Sequence, residues 1–268
     1  MPELLGIECD ATGAARIGGA VRLSELADHP IMRDRFAALA SACEQALTPA
    51  TRETETLAGS LGQRPQCPYF RAQVSCRKNG GTDCPAHDGE NQTLAILEGG
   101  PCWVVHPSDP ATALVALEAT ILVDGPDGAR PIPAAAFFVL PTVRMDREIA
   151  LNDGELIVAV HLPAHSAGGF QQFARVKDQA SNYALVSLAT VRRTDGEARM
   201  VLGGVSPRPY RVYGSVEEEA ISGGLDDDTI ASLAERALLD AEPLSKNGDK
   251  LEFAAVLLRD GIRAIAEG

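Results

Sequence analysis

Apolar residues recur at helical spacing near the start of the chain. In DRFAALASACEQAL they place Phe36, Leu39, Ala40, Cys43 and Leu47 on one face. This period predicts an amphipathic helix with Cys43 as a core residue. Upstream, ARIGGAVRLSELADHP predicts a short strand, a turn and a helix capped by Ser24.

The regular pattern stops between residues 48 and 110. This segment is rich in Gly, Pro, Cys and polar residues, and it shows neither helical nor strand periodicity. Irregular segments of this length are uncommon in compact domains and usually carry function. We therefore expect functional residues here.

Alternating apolar and polar residues dominate the second half of the chain. ATALVALEATILVDGPDGARPIP predicts a helix and two strands, and GELIVAVHLP and GFQQFARV predict further antiparallel strands. The Asp-Gly pair in VRRTDGEARM predicts a hairpin, and three amphipathic helices follow it. The predicted fold class is α+β, with a first domain over residues 1–145 and a second over 146–268, an antiparallel sheet with helices.

Composition narrows the classes of function. The net charge of −13 argues against a protein that binds nucleic acid or an anionic membrane, because both need a basic surface. No apolar run approaches the roughly 20 residues that span a bilayer, and the N-terminus has no basic start of a secretory signal. We expect a cytoplasmic, reducing location, where structural disulfides are rare. An export signal on a partner subunit would instead place the protein in the periplasm.

Four cysteines lie in the irregular segment, and their spacing is informative. Cys67, Cys76, Cys84 and Cys102 include no C-x-x-C pair, which weakens the case for a common structural zinc site.

The charge around these cysteines favours another kind of metal centre. Residues 57–81 contain no Asp or Glu, and their cations are Arg64, Arg71, Arg77 and Lys78. A 4Fe–4S cluster held by four thiolates is net negative, so nearby cations and backbone N–H groups stabilise it. Spacing and composition leave three interpretations open: an iron–sulfur cluster, a zinc site, or unrelated loop thiols.

Motifs along the whole chain resemble those of one family. They are RIGGAVRLSELADHP, TRETETLAGSLGQRPQCPYFR, CRKNGGTDCPAHDGENQ, GPCWVVHPSDPATALVALEA and PLSKNGDK. Together they are similar to the flavoprotein (medium) subunit of molybdenum hydroxylases of the xanthine dehydrogenase family. The cysteine-bearing insertion, residues 63–102, resembles that of the aldehyde-oxidising and 4-hydroxybenzoyl-CoA-reducing members, whose flavoprotein subunit carries an additional 4Fe–4S cluster.

The resemblance implies a fold, a metal centre and partners. The first domain would be a flavoprotein-type (PCMH-like) α/β domain, and Cys67, Cys76, Cys84 and Cys102 would ligate the 4Fe–4S cluster, with the other two cysteines apart from it. A large molybdopterin subunit would oxidise an aldehyde or an N-heterocycle of the xanthine type, and a small subunit would hold two 2Fe–2S clusters. This chain would pass their electrons to an external acceptor such as a cytochrome.

Departures from the family pattern bear on FAD. The family has a preceding subdomain whose glycine-rich loop cradles the flavin diphosphate, so we expect a truncated first domain. The second flavin loop reads ETLAGSL, where Ala58 and Ser60 replace a Gly and an Asn, and Glu55 adds a negative charge. Gln179 stands where the family usually has an Arg.

The residual flavin site is predicted at Thr56, Gly59, Ser60 and Asp109, and FAD binding is expected to be weak or absent. His106, near Asp109, is interpreted as a structural residue. Two alternatives to an electron-transfer subunit remain: a non-redox scaffold derived from a flavoprotein, and a conventional FAD-binding subunit with an incomplete N-terminus.

Overall fold

The computed structural model describes residues 2–178 and 182–267. The predicted substitution at Gln179 lies outside these residues. Within them the chain forms two antiparallel sheets with helices packed against each.

The first sheet has five strands in the order β1-β2-β5-β3-β4, and every neighbouring pair is antiparallel. Its strands are β1 (Ile7–Cys9), β2 (Ala15–Gly18), β3 (Thr120–Asp124), β4 (Arg130–Pro133) and β5 (Leu156–Leu162). In β5 buried residues alternate with more exposed ones over residues 156–159, so one face packs on the core.

The second sheet has four antiparallel strands in sequence order. They are β6 (Phe170–Lys177), β7 (Ala184–Arg192), β8 (Ala198–Gly203) and β9 (Tyr210–Arg211). The predicted Asp-Gly hairpin joins β7 to β8, whose end residues Arg192 and Ala198 pair.

Eleven α-helices accompany the sheets in the described residues. They are α1 (Leu23–Asp28), α2 (Pro30–Arg35), α3 (Ala37–Gln45), α4 (Pro49–Arg52), α5 (Leu57–Leu61), α6 (Pro68–Arg71), α7 (Asp109–Ala116), α8 (Ala134–Phe137), α9 (Gly214–Ala220), α10 (Asp227–Ala237) and α11 (Asp249–Glu267). Between α6 and α7 the chain has a single 3-10 turn, Arg77–Asn79, and is otherwise irregular.

The α+β fold class is confirmed, and so are the helices predicted at both ends of the chain. One detail is wrong: Ser24 lies inside α1, whose N-cap is Arg22 without a side-chain cap bond. Leu23 N instead donates to Glu55 O at 2.9 Å. A tertiary contact therefore satisfies the helix start, and a local side chain does not.

The strand β5 carries a further difference. The sequence placed it after residue 146, in the second domain, yet it pairs with β2 and β3 of the first sheet. The division into residues 1–145 and 146–268 stays a prediction, and the pairing of β5 favours a boundary between β5 and β6.

Three apolar clusters hold the fold together. The largest joins the first sheet to α1–α3 and α7 and also takes in Phe173, Ala189 and Val201 of the second sheet. A second lies between the second sheet and α9–α11. A third, small cluster includes Cys67 and Cys102. Since the first cluster contains residues of both sheets, the two sheets pack against each other through a shared core.

None of the helices in residues 2–178 and 182–267 combines the length and the apolar character needed to cross a bilayer.

Candidate functional site

The four cysteines of the irregular segment line one cavity. This cysteine pocket, a cavity of about 10 Å³, is bounded by Cys67, Cys76, Cys84 and Cys102 together with Phe70, Lys78 and Val104 among others. Three of the thiols are buried, and Cys84 is partly exposed. The structure therefore brings together the four residues that the sequence singled out.

Local backbone structure explains this convergence. Cys67 is the N-cap of α6, and Cys76 precedes the 3-10 turn Arg77–Asn79. The turn ends at Gly80 with φ of 82°, a left-handed conformation that glycine adopts readily. The carbonyl of Cys76 accepts from both Asn79 N and Gly81 N at 2.8 Å. The loop thus folds back on Cys76 and directs the chain toward Cys84.

A buried cation borders the cysteine pocket. The side chain of Lys78 is 1% exposed, and its ammonium lies 2.7 Å from the Glu148 carboxylate. It also donates to Met145 O at 2.8 Å. Arg64 reaches the other oxygen of Glu148 at 2.8 Å and stacks 4.8 Å from the Phe70 ring. Glu148 thereby holds two of the cations noted in the sequence, Arg64 and Lys78, and Lys78 lines the cysteine pocket.

Burial and the Lys78 cation change the pKa of two of these thiols, Cys67 and Cys102. Burial raises the pKa of Cys67 and raises that of Cys102 to about 11, while Lys78 acts in the opposite direction on Cys102. Without an added positive charge these thiols stay protonated at neutral pH. In the described part of the chain, no group of three or more His, Cys, Asp or Glu side chains that could hold a metal ion is present.

A cleft of about 80 Å³ adjoins the cysteine pocket at Cys67 and is also lined by Ala184 and Leu185 of β7. We call it the interdomain cleft. Its lining comprises Gln66, Cys67, Thr93, Leu94, Val105, Pro107, Asp178, Tyr183, Ala184 and Leu185. Cys67 lines both cavities, so the interdomain cleft and the cysteine pocket are neighbours with this side chain between them.

The predicted flavin loop forms one wall of a surface groove. This flavin groove, of about 270 Å³, is lined by Leu4, Gly19, Ala20, Thr56, Ala58, Gly62, Leu151, Glu155, Leu156 and Ile157. Gly19, in the turn after β2, forms part of the opposite side of the groove. A Cβ on Gly19 would stand 2.5 Å from Ile157 O, so this turn approaches β5 too closely for any other residue. The groove is long and mostly apolar, a shape that accepts part of a dinucleotide.

The backbone N–H groups of the α5 turn are already used within the fold. Leu57 N donates to Val21 O at 2.8 Å, Ala58 N to Gly19 O at 2.9 Å, and Gly59 N to the Thr56 hydroxyl at 3.0 Å. The turn therefore shapes the groove more than it offers donors. Gln63 Oε1 lies buried and without a partner among the described residues, so an acceptor is available to a ligand at the end of this turn.

Ser60 and Asp109 point into the interior and not into the groove. Ser60 Oγ and Ser108 Oγ share a hydrogen bond of 2.8 Å, which ties α5 to the N-cap of α7. Asp109, the first residue of α7, is buried and pairs with Arg175 of β6 at 2.6 Å. Burial raises the pKa of Asp109 to about 6, against the opposing effect of Arg175.

His106 is a core residue, as interpreted from the sequence. Its Nε2 lies 3.2 Å from Leu61 O, and its ring meets Phe138 edge-on at 4.6 Å. Burial lowers its pKa to about 4, so the ring is neutral at pH 7.

Sequence reasoning missed Arg175, Glu148 and Lys250, all of which hold this region together. The Lys250 ammonium is buried and donates to three backbone carbonyls. A signal existed in its case: Lys250 occupies a position of α11 at helical spacing with the buried Ala254 and Leu257. The pairing of Arg175 and Glu148 with distant residues had no local signal.

Comparison with known proteins places these features in a family. Residues 1–165 match the family model described as the FAD binding domain in molybdopterin dehydrogenase. The chain is 36% identical over 253 residues to the aldehyde oxidoreductase FAD-binding subunit PaoB of Escherichia coli K12, covering 92% of this chain and 77% of that protein. It is 24% identical over 265 residues to the putative xanthine dehydrogenase FAD-binding subunit XdhB of the same organism, covering 97% and 75%.

Solved structures share the fold. A carbon monoxide dehydrogenase from Hydrogenophaga pseudoflava superposes with a TM-score of 0.69 at 22% identity, covering 99% of this chain and 79% of the other. Quinoline 2-oxidoreductase from Pseudomonas putida 86 gives a TM-score of 0.69 at 20% identity, covering 100% and 80%.

These matches correct the cofactor expectation. A 4Fe–4S cluster as the cofactor with FAD weak or absent is wrong, because the family model is that of an FAD-binding domain and the related proteins are FAD-binding subunits. The substitutions in ETLAGSL misled because they suggested a lost diphosphate loop. In the structure the N–H groups of that turn serve the fold, so these changes remove little that a ligand would use.

Proposed function

This chain belongs to the family of FAD-binding domains of molybdopterin dehydrogenases, and on that premise we propose that it relays electrons through FAD within a molybdenum hydroxylase complex. The observation that carries the proposal is the adjacency of the interdomain cleft and the cysteine pocket, which share Cys67. A flavin beside such a thiol site is placed to exchange electrons with it, since flavins accept electrons and transfer them to a second carrier.

The flavin groove is where this chain would hold part of FAD. Thr56 lines the groove and caps α5, where its hydroxyl accepts from Gly59 N at 3.0 Å. Ser60 and Asp109 support the site from behind through Ser108 and Arg175. In this proposal Thr56 and Gly59 face the cofactor, while Ser60 and Asp109 orient α5 and α7.

The finer part of the proposal concerns the cysteine pocket. Four thiols on one cavity, beside the buried Lys78 cation, have the composition of a thiolate metal centre. We therefore propose Cys67, Cys76, Cys84 and Cys102 as ligands of a centre that exchanges electrons with the flavin, while Cys9 and Cys43 play no part.

The partners follow from the same premise. A subunit with a molybdopterin cofactor would oxidise an aldehyde or an N-heterocycle, and a subunit with 2Fe–2S clusters would deliver the electrons. The related aldehyde oxidoreductase subunit has the highest sequence identity reported above, which favours an aldehyde as substrate. The net charge of −13 favours a basic one-electron acceptor. We propose the cytoplasm as its location and a domain boundary between residues 163 and 169.

Cofactor analysis of the purified complex tests the proposal. Acid extraction should release one FAD per copy of this chain, and Thr56→Trp, which fills the flavin groove, should abolish its retention. Glu25→Trp, at an exposed position of α1, is the matched control and should keep FAD. A complex that lacks FAD in the parent protein would overturn the proposed function.

The thiol site is tested separately by iron, sulfide and zinc content. Cys76→Ser should lower the content of metal, and Cys9→Ser should not, because Cys9 lies in β1 away from the pocket. Equal metal content in both variants, or none in the parent, would contradict the ligand assignment while leaving the FAD proposal intact.

A further inference from the structure

The ammonium group of Lys250 lies buried at the start of α11 without a carboxylate partner. Its three hydrogen bonds go to Thr93 O and Leu94 O at 2.9 Å and to Gly204 O at 2.6 Å. An ammonium has three N–H donors, so all of them are used. Among the described residues no Asp or Glu oxygen lies within 4.0 Å of it. A buried lysine bound only to backbone is a costly arrangement, and one that serves packing alone is readily replaced by an apolar residue.

The three carbonyls belong to opposite walls of the interdomain cleft. Thr93 and Leu94 line one wall directly. Gly204 lies behind the other wall: its φ is 73°, and a Cβ built on it would stand 2.6 Å from Leu185 O and 3.0 Å from Ala184 O. Ala184 and Leu185 line the cleft. The Lys250 ammonium therefore bridges the backbone of the wall formed by 93–94 to the strand segment packed against 184–185.

Neighbouring side chains strengthen this bridge. The Asn247 amide donates to Leu94 O at 3.2 Å and to Ala95 O at 3.3 Å. Val205 O, next to Gly204, accepts from the backbone N–H groups of residues 96 and 97 at 2.9 and 3.0 Å. These hydrogen bonds connect residues 247 and 250, at the start of α11, to residues 93–97 and from there to residues 204 and 205, which follow β8.

We propose that Lys250 is a positioning residue that sets the width of the interdomain cleft and thereby the affinity of the chain for flavin. The part of the proposal that concerns flavin rests on the proposed function. Replacement by Met removes the three donors, so Thr93 O and Gly204 O lose this partner while Leu94 O keeps Asn247. The wall at 93–94 should then move away from the wall at 184–185. Lys250→Gln keeps two donors on a shorter side chain and should have an intermediate effect.

The chain contains one tryptophan, which reports on this wall. Trp103 O accepts from Ala95 N at 2.8 Å, and the indole contacts the His87 ring at a tilt of 57°, with ring centroids 4.7 Å apart. A displaced segment 93–95 changes the exposure of the indole. Lys250→Met should therefore raise the acrylamide quenching constant of Trp103 about twofold in the folded chain.

Lys246→Met is the matched control. Lys246 lies four residues earlier, in the turn before α11; its side chain is 42% exposed, and it pairs with Glu90 at 2.7 Å. It should change neither the quenching of Trp103 nor the binding of FAD. Far-UV circular dichroism establishes that each variant is folded, and Lys250→Gln replaces Lys250→Met as the deciding variant if the latter does not fold.

FAD affinity in the intact complex provides the second readout. Lys250→Met should weaken FAD binding at least about tenfold with the FAD content of the Lys246→Met complex unchanged. A folded Lys250 variant that shows parental quenching and parental FAD affinity would overturn the proposal, since a merely stabilising role lowers the free energy of unfolding and leaves both readouts alone. If the parent binds no FAD, the proposed function fails, and the quenching comparison still decides the role of Lys250.

Discussion

Removal of Arg175 should expose the energetic cost of the buried carboxylate at the start of α7. Arg175 and Asp109 have side chains only 6% and 5% exposed, and their atoms meet at 2.6 Å. Arg175→Met keeps most of the volume of the side chain and removes the charge. Breaking one partner of a buried pair leaves the other charge uncompensated, which costs about 3–5 kcal/mol of unfolding free energy.

The unfolding free energy lost in Arg175→Met should be larger at high pH than at low pH. Burial raises the pKa of Asp109 to about 6 in the parent, above its value in the unfolded chain. This group therefore contributes stability at low pH that is lost as the pH rises through about 6. Without Arg175 the carboxyl holds its proton to higher pH still. At pH 8 the variant should lose the full 3–5 kcal/mol, whereas at pH 5, with Asp109 protonated in both proteins, the loss should shrink to about 1–2 kcal/mol.

Urea unfolding followed by circular dichroism at pH 5 and pH 8 measures both values. The double variant Asp109→Leu/Arg175→Met should recover at least half of the loss at pH 8, because no charge remains buried. Arg263→Met, which removes an exposed ion pair with Asp227, is the control and should leave the midpoint unchanged. An equal loss at both pH values, or a double variant that loses the sum of the single losses, would refute this reasoning.

Three further predictions concern single side chains around the candidate site. Because burial lowers the pKa of His106 to about 4, the stability that depends on a neutral ring is complete above pH 6.5 and is lost as the pH falls toward 4, a change of about 3 kcal/mol. His106→Gln should lack this dependence, so the difference in unfolding free energy between parent and variant should change by about 3 kcal/mol over this range. Thr56→Ala removes the cap of α5 and should cost about 1 kcal/mol in urea unfolding, whereas Thr56→Ser should restore it. Lys78→Met should raise the pH at which Cys102 reacts with iodoacetamide in the metal-free chain, since Lys78 favours its thiolate; an unchanged pH midpoint by mass spectrometry would contradict the role of this cation.

The fold class and most elements could be predicted from local pattern. The period of 3.6 placed α3 and α10, and alternation together with Asp195-Gly196 placed the β7–β8 hairpin, because both signals lie within a few residues of each other. The four cysteines could be singled out for a similar reason: they lie in one continuous segment, and residues 57–81 within it contain cations but no Asp or Glu.

The pairing of distant segments was beyond local pattern. Alternation identified β5 as a strand, but the same alternation suits either sheet, and only its contacts with β2 and β3 assign it to the first. The role of Asp109 likewise depends on Arg175, which is far from it in sequence.

The sequence by itself determined which residues have the chemistry of this protein: thiols, cations and a flavin loop in one irregular segment. Only the tertiary structure decided what each of them does. Ser60 turned inward to Ser108, the N–H groups of α5 went to the backbone of residues 19 and 21, and Lys250 reached carbonyls from two segments. The physical reason is that buried donors and acceptors are nearly always paired, and the fold, not the neighbouring sequence, determines which partner is within reach.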